Sequence, residues 1–129
     1  MSEKSEQNDF NNNEFIKFIG ETLLEKQAEK IIVLDVQKLT TVTDFVFICT
    51  STSTTQSKAI ADHARKMLKD ENILPLSIEG YENLNWVLMD YANIVIHIFL
   101  PEYREFYDLE RLWGDAESIL IEDSINNEK

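Results

Sequence analysis

Three short runs in this chain are apolar on both faces that a β-strand would present: Ile31-Ile32-Val33-Leu34-Asp35-Val36, Phe45-Val46-Phe47-Ile48-Cys49, and residues 94–99. In the last of these Ile94, Ile96 and Ile98 fall on one side, and Val95, His97 and Phe99 on the other. Successive side chains of a strand point to opposite sides of the sheet, so a run without a polar side needs cover on both. That requirement excludes a sheet with one wet face and calls for helices on each side.

The helices are legible by spacing. Residues 14–29 carry Ile16, Ile19 and Leu23 at steps of three and four, flanked by Phe15 and Leu24, with Asn13 as a candidate N-cap. A second stripe, Ile60, Ala64, Met67 and Leu68, ends near Asn72 ahead of Pro75. Ser53 and Gln56 at its start fit a capping box. Pro101 opens a third helix with Glu102 and Glu105 at its positive end, and the stripe Phe106, Leu109, Trp113 continues it to Gly114. The short, Thr-rich connector 37–44 lets the first two strands pair antiparallel. Residues 76–78 suit a short strand, and residues 85–90 and 93–99 a hairpin turning near Tyr91-Ala92-Asn93. The expected architecture is α/β, a mixed five-stranded sheet with helices on both faces. At 129 residues and 43% hydrophobic content, one core suffices. Residues 14–120 are expected to form it, with residues 1–13 a flexible lead and 121–129 a flexible tail.

Charge narrows the function. Twenty-four acidic against twelve basic residues give a net charge of −12. Nucleic-acid binding needs a basic stripe that displaces phosphate counterions, and anionic membranes repel such a chain for the same reason. A basic protein partner is the natural complement, although acidity also serves solubility alone. One cysteine, Cys49, permits no internal disulfide. The polar start has neither a secretory nor an organelle pattern, and no apolar run approaches the roughly 20 residues of a membrane span, so the cytoplasm is expected.

Catalytic groups do not assemble on paper. Ser51, His97 and Asp90 lack a Gly-x-Ser-x-Gly elbow. Cys49 reads as an inert core thiol, His97 as a satisfied core histidine, and His63, beside Asp62, as a surface residue. Residues 49, 63 and 97 have no zinc-ligand spacing. The polar turn at 49–56 has no glycine for close phosphate approach and no Walker lysine, since Lys58 comes five residues beyond Ser53. It reads as a helix cap. Residues 81–114 differ: Trp86, Tyr91, Tyr103, Phe106, Tyr107 and Trp113 are interleaved with Glu82, Asp90, Glu102, Glu105, Asp108 and Glu110. On a helix, Tyr103, Tyr107 and Glu110 share one side, and Phe106, Leu109 and Trp113 another. Aromatic anchors rimmed by one sign of charge describe a protein-binding surface; an aromatic core under an acidic face describes them equally well.

Several segments together resemble the Iojap-like ribosomal silencing factors: Leu34-Asp35-Val36, Thr43-Asp44-Phe45, Ile48-Cys49-Thr50-Ser51-Thr52-Ser53, Ala61-Asp62-His63, Glu79-Gly80, Trp86-Val87-Leu88-Met89-Asp90, Val95-Ile96-His97-Ile98-Phe99, and the run from Arg104 to Asp115. The resemblance spans residues 15–116 in order and spacing. It implies a nucleotidyltransferase-like fold without that superfamily's active site, no cofactor or metal, and no enzymatic activity. The turn Thr-Ser-Thr-Ser departs from the Gly-Thr-Ser frequent in the family. The resemblance further implies binding to the large ribosomal subunit through its basic protein fourteen, little contact with nucleic acid, and blocked association with the small subunit when nutrients are short. Matched residue by residue, the partner-binding positions are Trp86, Tyr107 and Asp108, with Leu109, Glu110 and Asp90. A nucleotidyl-transferring enzyme using carboxylates such as Asp35 and Asp90 is the rival reading. A dimeric adaptor is a third, and self-association into a homodimer stays open.

Overall fold

A computed structural model describes residues 12–121. Helix α1 (Asn12–Glu25) leads into the antiparallel pair β1 (Glu29–Asp35) and β2 (Phe45–Thr50). Helix α2 (Thr54–Asp70) follows, then β3 (Ser77–Glu79), β4 (Trp86–Asp90) and β5 (Ile94–Phe99), short helices α3 (Pro101–Tyr107) and α4 (Leu109–Leu112), and β6 (Glu117–Leu120). The sheet order is β3-β4-β5-β2-β1-β6. Only β2 and β5 run parallel; every other neighbour is antiparallel, so the sheet is mixed.

The two-sided apolar runs occupy the centre, as their composition requires. All six residues of β2 are buried. On one face Val33, Phe45, Phe47, Ile94, Ile96, Ile98, Val87 and Met89 pack beneath α1 and α2. On the other, Leu34, Val36, Val46, Ile48 and Phe99 meet Trp86, Tyr103, Leu109 and Trp113. The parallel step has a topological reason: the chain crosses between β2 and β5 through α2, over one face.

The sheet has six strands where the sequence suggests five. The extra strand, β6, pairs with β1 at the sheet edge and has all four residues exposed, so no burial pattern announces it. Ile121 just beyond it is 4% exposed and packs against Gly20, so the domain extends one residue into the expected tail. At the other end α1 already includes Asn13, which is therefore not its N-cap, and stops at Glu25, leaving Glu29 to β1. The proposed lead and tail otherwise lie outside the described residues.

The cap of α2 is half as expected. Ser53 Oγ accepts from Gln56 N at 3.0 Å. The Gln56 side chain does not return to Ser53; its Oε1 accepts from Thr52 N at 2.6 Å, and its Nε2 donates to the carbonyls of Lys26 and Gln27. The polar turn is thus closed by protein groups and tied to the end of α1.

Gly80 controls where β4 begins. Its φ is +79°, and a Cβ there would lie 1.9 Å from the Trp86 carbonyl oxygen. A side chain meets both left-handed strain and backbone overlap. Gly80→Ala is expected to cost roughly 3 kcal/mol in a urea titration, the sum of typical left-handed and overpacking penalties.

Candidate functional site: an aromatic surface on α3

The third helix does not run unbroken to Gly114. Asp108 adopts left-handed φ 49° and ψ 56°, ending α3 and starting α4, and its N–H still donates to Arg104 O. Aspartate tolerates this conformation better than most residues. The break resets helical phase, so Phe106 parts from Leu109 and Trp113. The latter two pack on the sheet, whereas Phe106 is 79% exposed.

Neither short helix contains a fully buried residue, and a charged clamp holds them. Arg104 Nε and Nη2 donate to Glu110 Oε2 at 3.0 and 2.7 Å. Its Nη1 donates to Lys30 O at 2.7 Å and to Thr50 Oγ1 at 2.9 Å. The Lys30 carbonyl is turned toward it where β1 slips register against β2 and Lys30 takes φ 52°. Glu110 is therefore engaged inside the fold.

Trp86, at the start of β4, carries the surface. Its ring stacks on Phe99 at 4.9 Å and meets Tyr107 at 4.6 Å. Its indole N–H donates to His97 Nδ1 at 2.9 Å. An indole nitrogen can only donate, so Nδ1 is the bare nitrogen of a neutral imidazole. Burial also pushes His97 down to about 4. The expected core histidine is thus a buried acceptor that orients Trp86. Tyr107 is half-exposed, and Phe106 meets it edge-on at 5.0 Å. Leu112 on α4 is exposed as well.

Of the six partner-binding positions read from the sequence, Trp86, Tyr107, Asp108 and Leu109 fall in this region, with Glu110 committed to Arg104. Asp90 stands apart, at the opposite end of β4, roughly 13 Å along the strand. There it accepts from Ala92 N in a local turn. Asp35 and Asp90 do not form a metal-holding pair: three strand spacings, roughly 14 Å, separate them, on opposite sheet faces. Cys49 is buried, and burial pushes its thiol up to about 12. His63 is not simply a surface group, since its Nε2 meets Glu25 Oε1 at 2.6 Å and links α2 to α1. Among the described residues no cluster of three or more His, Cys, Asp or Glu is poised for a metal, and no helix is long and apolar enough to cross a membrane.

The sequence model of the family described as "Ribosomal silencing factor during starvation" matches residues 9–129, taking in every element above. The chain is a member of the ribosomal silencing factor family. The ribosomal silencing factor RsfS of Halalkalibacterium halodurans is 34% identical over 115 residues, covering 89% of this chain and 98% of the relative. A Mus musculus protein named "Mitochondrial assembly of ribosomal large subunit protein 1" is 35% identical over 101 residues, 76% of this chain and 44% of that protein. A crystal structure of a Chromobacterium violaceum protein superposes with a TM-score of 0.78 at 35% identity, covering 81% of this chain and 88% of the other. The bacterial relatives are named as silencing factors and not as enzymes.

Against this family background, residue reading missed Arg104 as a clamp and Phe106 and Leu112 as exposed. Arg104 and Glu110 are six apart, outside helical pairing, so only the break at Asp108 brings them together. The exposure of Phe106 follows from the same break.

His97 makes stability pH-dependent. Its folded value lies below the ordinary 6.5, so its contribution is complete above pH 6.5 and is lost as pH falls toward about 4. Between pH 7 and pH 5 this single group is expected to remove roughly 2 kcal/mol. Urea titrations of the unsubstituted chain and His97→Gln at both pH values isolate it: the variant is expected to lose less on acidification.

Proposed function

We propose that this chain binds the large ribosomal subunit through the basic protein fourteen and blocks association with the small subunit, repressing translation under nutrient limitation. The observation that carries the reading is the exposed surface of Phe106 and Tyr107 backed by Trp86, in a protein of net charge −12. Exposed aromatic groups on α3, with acidic residues beside them, suit a cationic protein surface. Membership of the silencing-factor family supports the ribosomal setting.

In this reading Trp86 and Tyr107 are the central anchors, Asp108 supplies charge at the helix break, and Leu109 and Glu110 hold α4 in place beneath them. Asp90, remote from the aromatic rings, contributes only if the partner reaches along β4. The mechanism is occupancy: the bound domain fills space that the small subunit needs, and its net negative charge adds repulsion toward approaching RNA. No bond is made or broken.

Co-sedimentation with purified large subunits tests this. Tyr107→Ala is expected to weaken binding by about 30-fold, the ~2 kcal/mol of an interface hot spot. Because the ring also supports Trp86, circular dichroism must show an intact fold. Asp108→Asn preserves a residue that accepts left-handed backbone and removes only charge, and is expected to weaken binding several-fold. Full affinity in both folded variants, or unimpeded subunit joining at saturating protein, rejects the proposal.

A further inference from the structure

The outer side of α3 bears an open groove of about 450 Å³ lined by Glu102, Tyr103, Phe106 and Tyr107. Its walls are aromatic. The rings of Tyr103 and Tyr107 lie 6.5 Å apart and 24° from parallel, and Phe106 stands at 89° to Tyr107. Asn85 Nδ2 donates to Tyr103 Oη at 3.2 Å and fixes that ring from below.

Of the four residues that line the groove, Glu102 alone is charged, and it is exposed at the first turn of α3. The one cation of α3, Arg104, points away into its clamp with Glu110, Thr50 and the Lys30 carbonyl. No resident positive charge from this helix fills the groove. Aromatic faces carry negative potential and attract ammonium and guanidinium groups, and a carboxylate at the rim adds direct attraction. Phosphate and anionic lipid meet only repulsion here.

We propose that this groove is a subsite for one cationic side chain, a lysine or arginine, presented by a protein partner. The partner's identity rests on the large-subunit reading above; the chemistry of the groove does not. An apolar occupant is the competing outcome, and two variants separate them. Phe106→Leu keeps the apolar area and removes the ring face. Glu102→Gln keeps the shape and removes the charge.

The experiment has two arms on the full chain. In the first, the labelled protein is titrated with N-acetyl-lysine amide, N-acetyl-arginine amide and, as uncharged control, N-acetyl-norleucine amide, following aromatic NMR signals. Saturable shifts of Tyr103, Phe106 and Tyr107 with the cations, and not with norleucine, are expected. In the second, affinity for purified large subunits is measured, and each variant is expected to bind 3- to 10-fold more weakly, with Glu102→Gln also flattening the salt dependence. Equal shifts with norleucine, or no shifts together with unchanged affinity of both variants, overturn the cationic subsite while leaving large-subunit binding intact. Cation-specific shifts in a protein that does not sediment with large subunits uphold the subsite and reject the ribosomal reading instead.

Discussion

One guanidinium decides the shape of the α3–α4 side of this molecule. Helices α3 and α4 are too short and too exposed to hold position by burial alone. Arg104 compensates by gathering a carboxylate from α4, a hydroxyl from the end of β2 and a carbonyl from the irregular start of β1. Its side chain is 14% exposed, so these charge-assisted bonds are partly shielded from solvent. The irregular start of β1 is thus not a flaw in the ladder, because it aims the Lys30 carbonyl at the clamp.

The clamp leaves the outer side of α3 free to be aromatic. Trp86 connects that surface to the sheet: its ring contacts both Phe99 and Tyr107, and its one polar atom is consumed by His97. The indole N–H of Trp86 is therefore engaged within the fold. The donor that would otherwise face outward is spent internally, so the ring sits on this surface without a free polar atom.

Much of the sheet could be read from residue patterns because its constraint is local and repetitive. Strands β1, β2 and β5 are apolar at consecutive positions, and a strand that must be dry on both faces has few places in a fold. The helices α1 and α2 show themselves by their stripes for the same reason. What escaped depends on contacts distant in sequence or on single dihedrals. Strand β6 has no buried face and exists through its pairing with β1. The break at Asp108 rests on one left-handed residue without a glycine to mark it, and a helical wheel drawn through it sends Phe106 into the core when it faces outward. The family resemblance names Trp86, Tyr107, Asp108 and Asp90 together, and the separation of Asp90 from the other three follows only from strand direction.

The strand order has a consequence for how the chain assembles. Strand β5 lies between β4 and β2, so the wholly buried β2 has no neighbour on that edge until residues 94–99 arrive. A nascent chain that has emerged only as far as α2 displays an unpaired, fully apolar edge, the kind of template that recruits other strands. The N-terminal half is thus not a self-sufficient folding unit. The segment that closes this edge leads directly into Pro101 and the aromatic helix, so the same late portion of the polypeptide seals the sheet and delivers the surface, and a molecule lacking one lacks the other.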